Sequence, residues 1–311
     1  MRDDVTFESK DVRCRAWHYR PAGSSPAPCV VIGHGFDGVR EQGLDAYAER
    51  FAAIGIASLV FDYRFFGSSD GEPRQVVDTK AQLDDWRAAI SCARALDSID
   101  PDRIALWGTS TSGGHVVKLA AEDDRIAAVV AQVPLLDGRA QLLTTPLLQS
   151  IGLLWAGVKD GIRTLLRLPP LMIASAGRPG ALAAVTSPDA LSGLEQITPT
   201  DSTWRNEVAA RFALTTPLYR PITSAARLRC PLLVCIADGD RVIPEGPALK
   251  AASTAALGEL RRYPVGHFGM YFGDGFERAV AHQAAFLRRW LIGAEVASRG
   301  AERPPTLKAV P

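Results

Sequence analysis

The chain is predicted to form an α/β fold in which a mostly parallel central sheet, flanked by helices, carries a helical insertion. Three observations lead to that class. Short continuous apolar runs, at residues 29–32, 57–61 and 231–237, read as strands buried on both faces. Segments with apolar residues at helical spacing alternate with them, as at Leu83, Trp86, Ile90 and Ala93, which is the pattern of parallel strands joined by crossover helices. This rhythm stops near residue 135 and resumes near residue 228. The 311 residues correspond, at about 150 residues per domain, to two units or to one large α/β domain with an insertion.

Each element follows from the chain in order. Residues 5–19 alternate loosely and are expected to form an entry hairpin or edge strands, followed by a proline-rich connector at 21–28. The strand at 29–32 runs into Gly33-His34-Gly35-Phe36, and a helix passes through Ala46, Phe51 and Ile54. The strand at 57–61 ends at Asp62-Tyr63-Arg64 and a turn at Gly67; a helix over 77–96 and a short strand at 104–107 come next. A sharp Gly/Ser corner leads into a helix over 112–121, and the strand at 126–133 is stopped by Pro134. Residues 135–227 hold helical pieces, several prolines and an apolar stretch at 147–158; no strand is expected there. After 231–237 come a helix at 248–257, a strand at 260–265 and a last helix at 274–291 with Phe276, Val280, Phe286, Leu287 and Trp290 on its apolar face. The core is therefore assigned to 1–134 and 228–297, a cap to 135–227, and a loose, proline-rich tail to 298–311.

Composition narrows the function. A formal net charge of +1 removes the basic excess that a nucleic-acid binder uses to displace counterions. A hydrophobic content of 47% against 22% charged residues excludes a mainly disordered chain, and a chain of this length buries enough surface to fold without metal or disulfide. No run of 18 apolar residues is present, so no membrane span is expected. The N-terminus carries Asp3 and Asp4 where a secretory signal would be apolar. Five cysteines without a C-x-x-C pair read as reduced thiols and favour the cytoplasm. With no spaced Cys/His cluster, no His-Glu-x-x-His and no phosphate-loop lysine, neither metal nor cofactor is expected. A homo-oligomer is compatible with the sequence.

The sharpest local signal is Gly108-Thr-Ser110-Thr-Ser112-Gly113-Gly114 between a buried strand and a helix. A serine at such a corner is held in a strained conformation that lifts its hydroxyl above the carboxyl edge of the sheet, and its neighbours two positions away must be small. Gly108 and Ser112 meet that need around Ser110. An elbow centred on Ser112 is sterically allowed but starts the helix too late, and glycine is the usual residue where Ser112 stands. Serine needs a base. Of the five histidines, His18, His115 and His282 lie within elements and read as packing or surface residues. His34 reads as a brace for its loop. His267, in Val265-Gly-His-Phe-Gly269, occupies a loop at the carboxyl end of a strand, from which an imidazole reaches over the sheet. The acid that orients it comes from Asp238-Gly-Asp240-Arg-Val-Ile-Pro244. Asp240 is preferred, because the Asp-x-Val-x-Pro spacing directs its carboxylate toward the histidine loop, with Asp238 as the alternative. The order Ser110, Asp240, His267 is that of an α/β-hydrolase.

Gly33-His-Gly-Phe36, Phe61-Asp-Tyr-Arg64, Gly67-Ser68, the Gly-Thr-Ser-x-Ser-Gly-Gly-His run ending at His115, and Gly266-His-Phe268 resemble serine hydrolases of the α/β-hydrolase superfamily. Within it they resemble the dienelactone-hydrolase-like branch of bacterial esterases and fungal polyketide transferases. The resemblance covers nearly the whole chain outside the insertion. True dienelactone hydrolases use a cysteine nucleophile, and Ser110 departs from that, so their activity is not carried over. The resemblance implies an oxyanion hole made by the backbone N–H groups of Thr111 and Phe36; Arg64 reads as a structural ion-pair partner and not as a substrate anchor. The expected activity is cleavage of a hydrophobic carboxylic ester or thioester through an acyl-enzyme. An acyltransferase with the same triad, and a catalytically silent ligand binder, are the alternatives. Within the apolar insertion, Leu147, Ile151, Leu154 and Trp155 are expected to line an acyl pocket.

Overall fold

The computed structural model of the protein describes residues 1–23 and 26–293; the expected loose tail at 298–311 lies outside the described residues. Its elements, in chain order, are β1 (Arg2–Ser9), β2 (Val12–Tyr19), β3 (Ala27–Gly33), α1 (Leu44–Ala53), β4 (Ala57–Phe61), α2 (Thr79–Ala95), β5 (Ile99–Thr109), α3 (Thr111–Ala120) and β6 (Ile126–Gln132). Within the insertion follow α4 (Gly138–Thr144), α5 (Leu147–Leu165), β7 (Met172–Ala176), β8 (Ala183–Val185), α6 (Ala190–Ile197), β9 (Val208–Ala209), α7 (Phe212–Thr215) and two 3-10 turns. The core then closes with β10 (Leu232–Ala237), α8 (Gly246–Thr254), β11 (Gly258–Tyr263) and α9 (Gly273–Leu291).

Eight strands form the main sheet in the order β1-β2-β4-β3-β5-β6-β10-β11. The β1–β2 hairpin joins antiparallel at one edge, and from β4 to β11 the strands run parallel. Successive β3 side chains enter opposite layers. Val31 packs with Phe61, Trp86 and Val117 beneath α2, α3 and α8, whereas Val30 and Ile32 pack with Tyr47, Trp107 and Phe276 beneath α1 and α9. With both faces covered, every β3 residue is buried, which is why its sequence lacks polar alternation.

Arg64 makes the expected ion pair. Its Nε donates to Asp85 Oδ1 at 2.7 Å and its Nη2 to Ser9 Oγ at 2.6 Å, tying β1 to α2 and the loop after β4. Asp85 is fully buried. Arg64→Met should therefore lower the free energy of unfolding by about 3–5 kcal/mol, because it strands a buried carboxylate; urea denaturation measures this.

The insertion corrects one expectation. It contains strands: β7 pairs parallel with β8 and antiparallel with β9 in a separate three-stranded sheet. At five, three and two residues, with alanines and a serine, these strands are too short to display a period of two. Long-range pairing creates them.

Candidate active site

The corner after β5 is built as its composition requires. Ser110 has φ 55° and ψ −120°, a conformation rarely open to a non-glycine residue. Backbone bonds from Ser110 N–H to the Gln132 carbonyl (2.9 Å) and from Leu135 N–H to the Ser110 carbonyl (2.8 Å) hold it there. A β-carbon at position 108 would collide with the Ser112 carbonyl, so Gly108 is obligatory. The strained residue is Ser110 and not Ser112, and α3 starts at Thr111. Ser112 has a different task. Its buried hydroxyl donates to the His34 carbonyl at 2.5 Å and meets the Tyr63 hydroxyl, which in turn accepts from Trp86 Nε1 at 2.6 Å. A glycine there could not tether the His34-Gly35 loop to the elbow.

His267 is buried, and its Nδ1 lies 2.7 Å from Asp240 Oδ2. The other Asp240 oxygen accepts from the Val242 and Ile243 amides at 2.8 and 2.9 Å. Burial pushes the Asp240 carboxyl up, but the adjacent His267 ring and the two amides outweigh it and hold the group below the usual carboxylate range. Asp238 points elsewhere, pairing with Arg262 at 2.7 Å on the surface. The two loops are joined through backbone bonds from Asp238 N–H to the Tyr263 carbonyl and from Gly239 N–H to the Val265 carbonyl.

Ser110 and His267 line one cavity, together with Phe36 and Gly35. A β-carbon at position 35 would approach Ser110 Cβ to 3.0 Å, so glycine lets the loop close against the elbow. The Phe36 N–H has no acceptor among the described residues. Its carbonyl accepts from Gln82 Nε2 at 3.1 Å, and Gln82 Oε1 in turn contacts His115 Nε2 at 3.1 Å. His115 Nδ1 meets the Tyr219 hydroxyl at 2.6 Å. Burial pushes the His115 imidazole down to about 3, so the ring is neutral and donates to Gln82 through Nε2. The sequence reading treated His115 as packing; it is a buried link in the chain that orients the Phe36 peptide. His34 is also neutral, pushed down to about 4 by burial, and braces its loop through Nδ1 to the Gly35 carbonyl at 2.9 Å.

The insertion contributes to the cavity through different residues from those expected. Leu147, Ile151, Leu154 and Trp155 are not on its wall; they are exposed by 74, 55, 55 and 61%. Leu153, Ala156, Gly157 and Asp160 form the inward stripe of α5. Asp160 fixes that phase, because its buried carboxylate binds Arg211 Nε at 2.7 Å and the Leu171 N–H at 2.7 Å. A helix apolar on more than one face does not reveal from spacing which face is covered. Ser175, Val185, Leu194 and Ile197 reach the cavity instead. Asp37 also lines it, and no local pattern in the sequence marks this acid in a glycine-rich turn as buried.

Comparison with known proteins bears on the family and the fold. The family model described as serine aminopeptidase, S33 (Hydrolase_4) matches residues 24–267. The chain is 44% identical over 286 residues to the quorum-quenching protein AidA of Acinetobacter baumannii (strain MDR-ZJ06), covering 92% of this chain and 94% of that one. It is 36% identical over 182 residues to the polyketide transferase ATR5 of Stachybotrys chlorohalonatus (strain IBT 40285), covering 58% of each. The fold superimposes on the crystal structure of the α/β-hydrolase GrgF from Penicillium sp. sh18 with a TM-score of 0.78 at 23% identity, covering 94% of this chain and 99% of that one.

Proposed function

The chain belongs to the serine aminopeptidase S33 family of α/β-hydrolases, and on that premise we propose that it cleaves a carboxylic ester or thioester through an acyl-enzyme on Ser110. The observation that carries this reading is the strained Ser110 facing the same cavity as a His267 already oriented by Asp240. Ser110 Oγ attacks the acyl carbon while His267 Nε2 takes its proton. The N–H groups of Phe36 and Thr111 receive the oxyanion; Thr111, the first residue of α3, has no carbonyl behind it in the helix. Collapse expels the alcohol or thiol, which takes the proton from His267, and water repeats the sequence to release the acid.

Phe36, Leu194 and Ile197 give the cavity an apolar wall, which favours medium-sized acyl groups. The test is fluorophosphonate labelling of Ser110, followed by a panel of esters, lactones and thioesters from two to twelve carbons. Labelling at Ser110 with best turnover at intermediate length is expected. Activity confined to acetate would count against the acyl pocket, and an unlabelled Ser110 would leave a ligand binder. The quorum-quenching relative is the reason for including small signalling esters and lactones.

A second reading, acyl transfer to an alcohol or amine, is favoured by one feature. A second, open hollow, lined by Gln141, Thr145, Gln149 and Asp240 as well as by apolar residues, shares Val185 and Val242 with the first. It offers an acceptor room beside the triad. Product analysis with water and alcohols in competition separates the two readings. Five free thiols support a reducing compartment, and the cytoplasm is the proposed location. Among the described residues no helix is long and apolar enough to cross a membrane.

A further inference from the structure

A census of polar side chains on the wall of the Ser110 cavity leaves two groups unused. Gln42 is spent on the Val39 N–H and Thr198 Oγ1. Thr109 and Tyr271 bond each other at 2.6 Å, and His34 braces its own loop. Ser110 and His267 belong to the reaction. Asp37 Oδ2 and Ser175 Oγ remain, both buried; neither makes a hydrogen bond of ordinary geometry, and Ser175 lies close enough to Asp37 to act on its carboxyl. Asp37 is 6% exposed and Ser175 2%. Asp37 comes from the loop after β3, next to Phe36, and Ser175 from β7 of the insertion, so the pair joins core and insertion across the cavity. Unpartnered buried polar atoms are rare in folded proteins because they have given up water for nothing. Two that meet beside a nucleophile point to a ligand.

We propose that Asp37 and Ser175 form a polar subsite for an uncharged group that both donates and accepts a hydrogen bond, a hydroxyl or a secondary amide, carried by the substrate close to its scissile carbonyl. This deepens the serine-hydrolase reading and rests on it. Proximity follows from the chain, since Asp37 is one residue beyond the amide assigned to the oxyanion and two beyond Gly35, where a β-carbon would crowd Ser110. An uncharged ligand follows from the surroundings. Burial pushes the Asp37 carboxyl up to about 7, with the Ser175 hydroxyl pulling the other way, so the group does not require a cation. The apolar side chains of Phe36, Leu194 and Ile197 on the same wall disfavour a charged ligand. In its protonated form, a carboxyl beside a hydroxyl presents donors and acceptors together, the complement of an alcohol or an amide.

The experiment compares three 4-nitrophenyl esters of similar length: octanoate, 3-hydroxyoctanoate and N-hexanoylglycinate. For the wild type, kcat/KM on at least one polar ester should exceed that on octanoate by about tenfold or more. In Asp37→Asn, Asp37→Leu and Ser175→Ala that ratio should collapse toward one. The thermal midpoint should stay level in Asp37→Asn and rise in Asp37→Leu, since the leucine removes an unpaired buried carboxyl. The inference is overturned if wild type shows no preference for either polar ester, or if the preference survives all three substitutions. A collapsed ratio accompanied by loss of the folded state in Asp37→Leu and Asp37→Asn alike would assign Asp37 a structural role and also overturn it. Failure of wild-type Ser110 to react with fluorophosphonate would instead sink the hydrolase reading beneath it.

Discussion

Replacing Ser110 with alanine should lower kcat by about 10⁵–10⁶-fold and leave the folding midpoint essentially where it is. The size of the effect follows from covalent catalysis: without Oγ there is no acyl-enzyme, and what remains is binding and an oxyanion site acting on bound water. The fold is unaffected because the elbow is held by main-chain bonds to Gln132 and Leu135, none of which uses the serine hydroxyl. Alanine at φ 55° carries the same backbone strain as serine. Steady-state ester hydrolysis, with urea denaturation of the same preparation, measures both halves. A residual rate within tenfold of wild type would mean that another nucleophile does the work.

Asp240→Asn should cost about 10⁴-fold in kcat, and Asp238→Asn less than about threefold. The carboxylate of Asp240 accepts a hydrogen bond from His267 Nδ1–H, which leaves Nε2 free to act as base. An asparagine that turns its NH₂ toward the ring would make Nδ1 the acceptor and put the proton on Nε2, where it cannot take one from Ser110. Asp238 sits on the surface against Arg262, and an exposed pair of that kind contributes little. The comparison is internally controlled, because both aspartates lie in one turn and either asparagine removes one charge. Should Asp238→Asn prove the more damaging, the acid has been assigned to the wrong residue.

Much of the architecture was readable from the chain because its signals are local. The continuous apolar runs at β3, β4 and β10 report strands covered on both faces. Gly108 and Ser112 around Ser110 report the steric demand of a tight corner, and a β-carbon at position 108 would meet the Ser112 carbonyl. Arg64 was expected in an ion pair and is found in one with Asp85. The insertion was less legible. Leu147 and Trp155 are as apolar as any residue that reaches the cavity, yet α5 turns them outward because Asp160 and Arg211 pin the opposite stripe inward. The β7–β9 pairing links residues more than thirty positions apart and leaves no periodic trace in segments so short.

The sequence alone determined the order of serine, acid and histidine along the chain, the small residues that a strained serine requires, and the turn that carries the acid. Those are consequences of bonded neighbours and steric exclusion over a few residues, and they hold wherever the rest of the chain goes. Only the tertiary structure decided which aspartate faces His267, which stripe of α5 is covered, and that Asp37 and Ser175 meet without a hydrogen bond of ordinary geometry. These depend on contacts between segments far apart in sequence, whose free energies are set by burial and desolvation that no local pattern encodes.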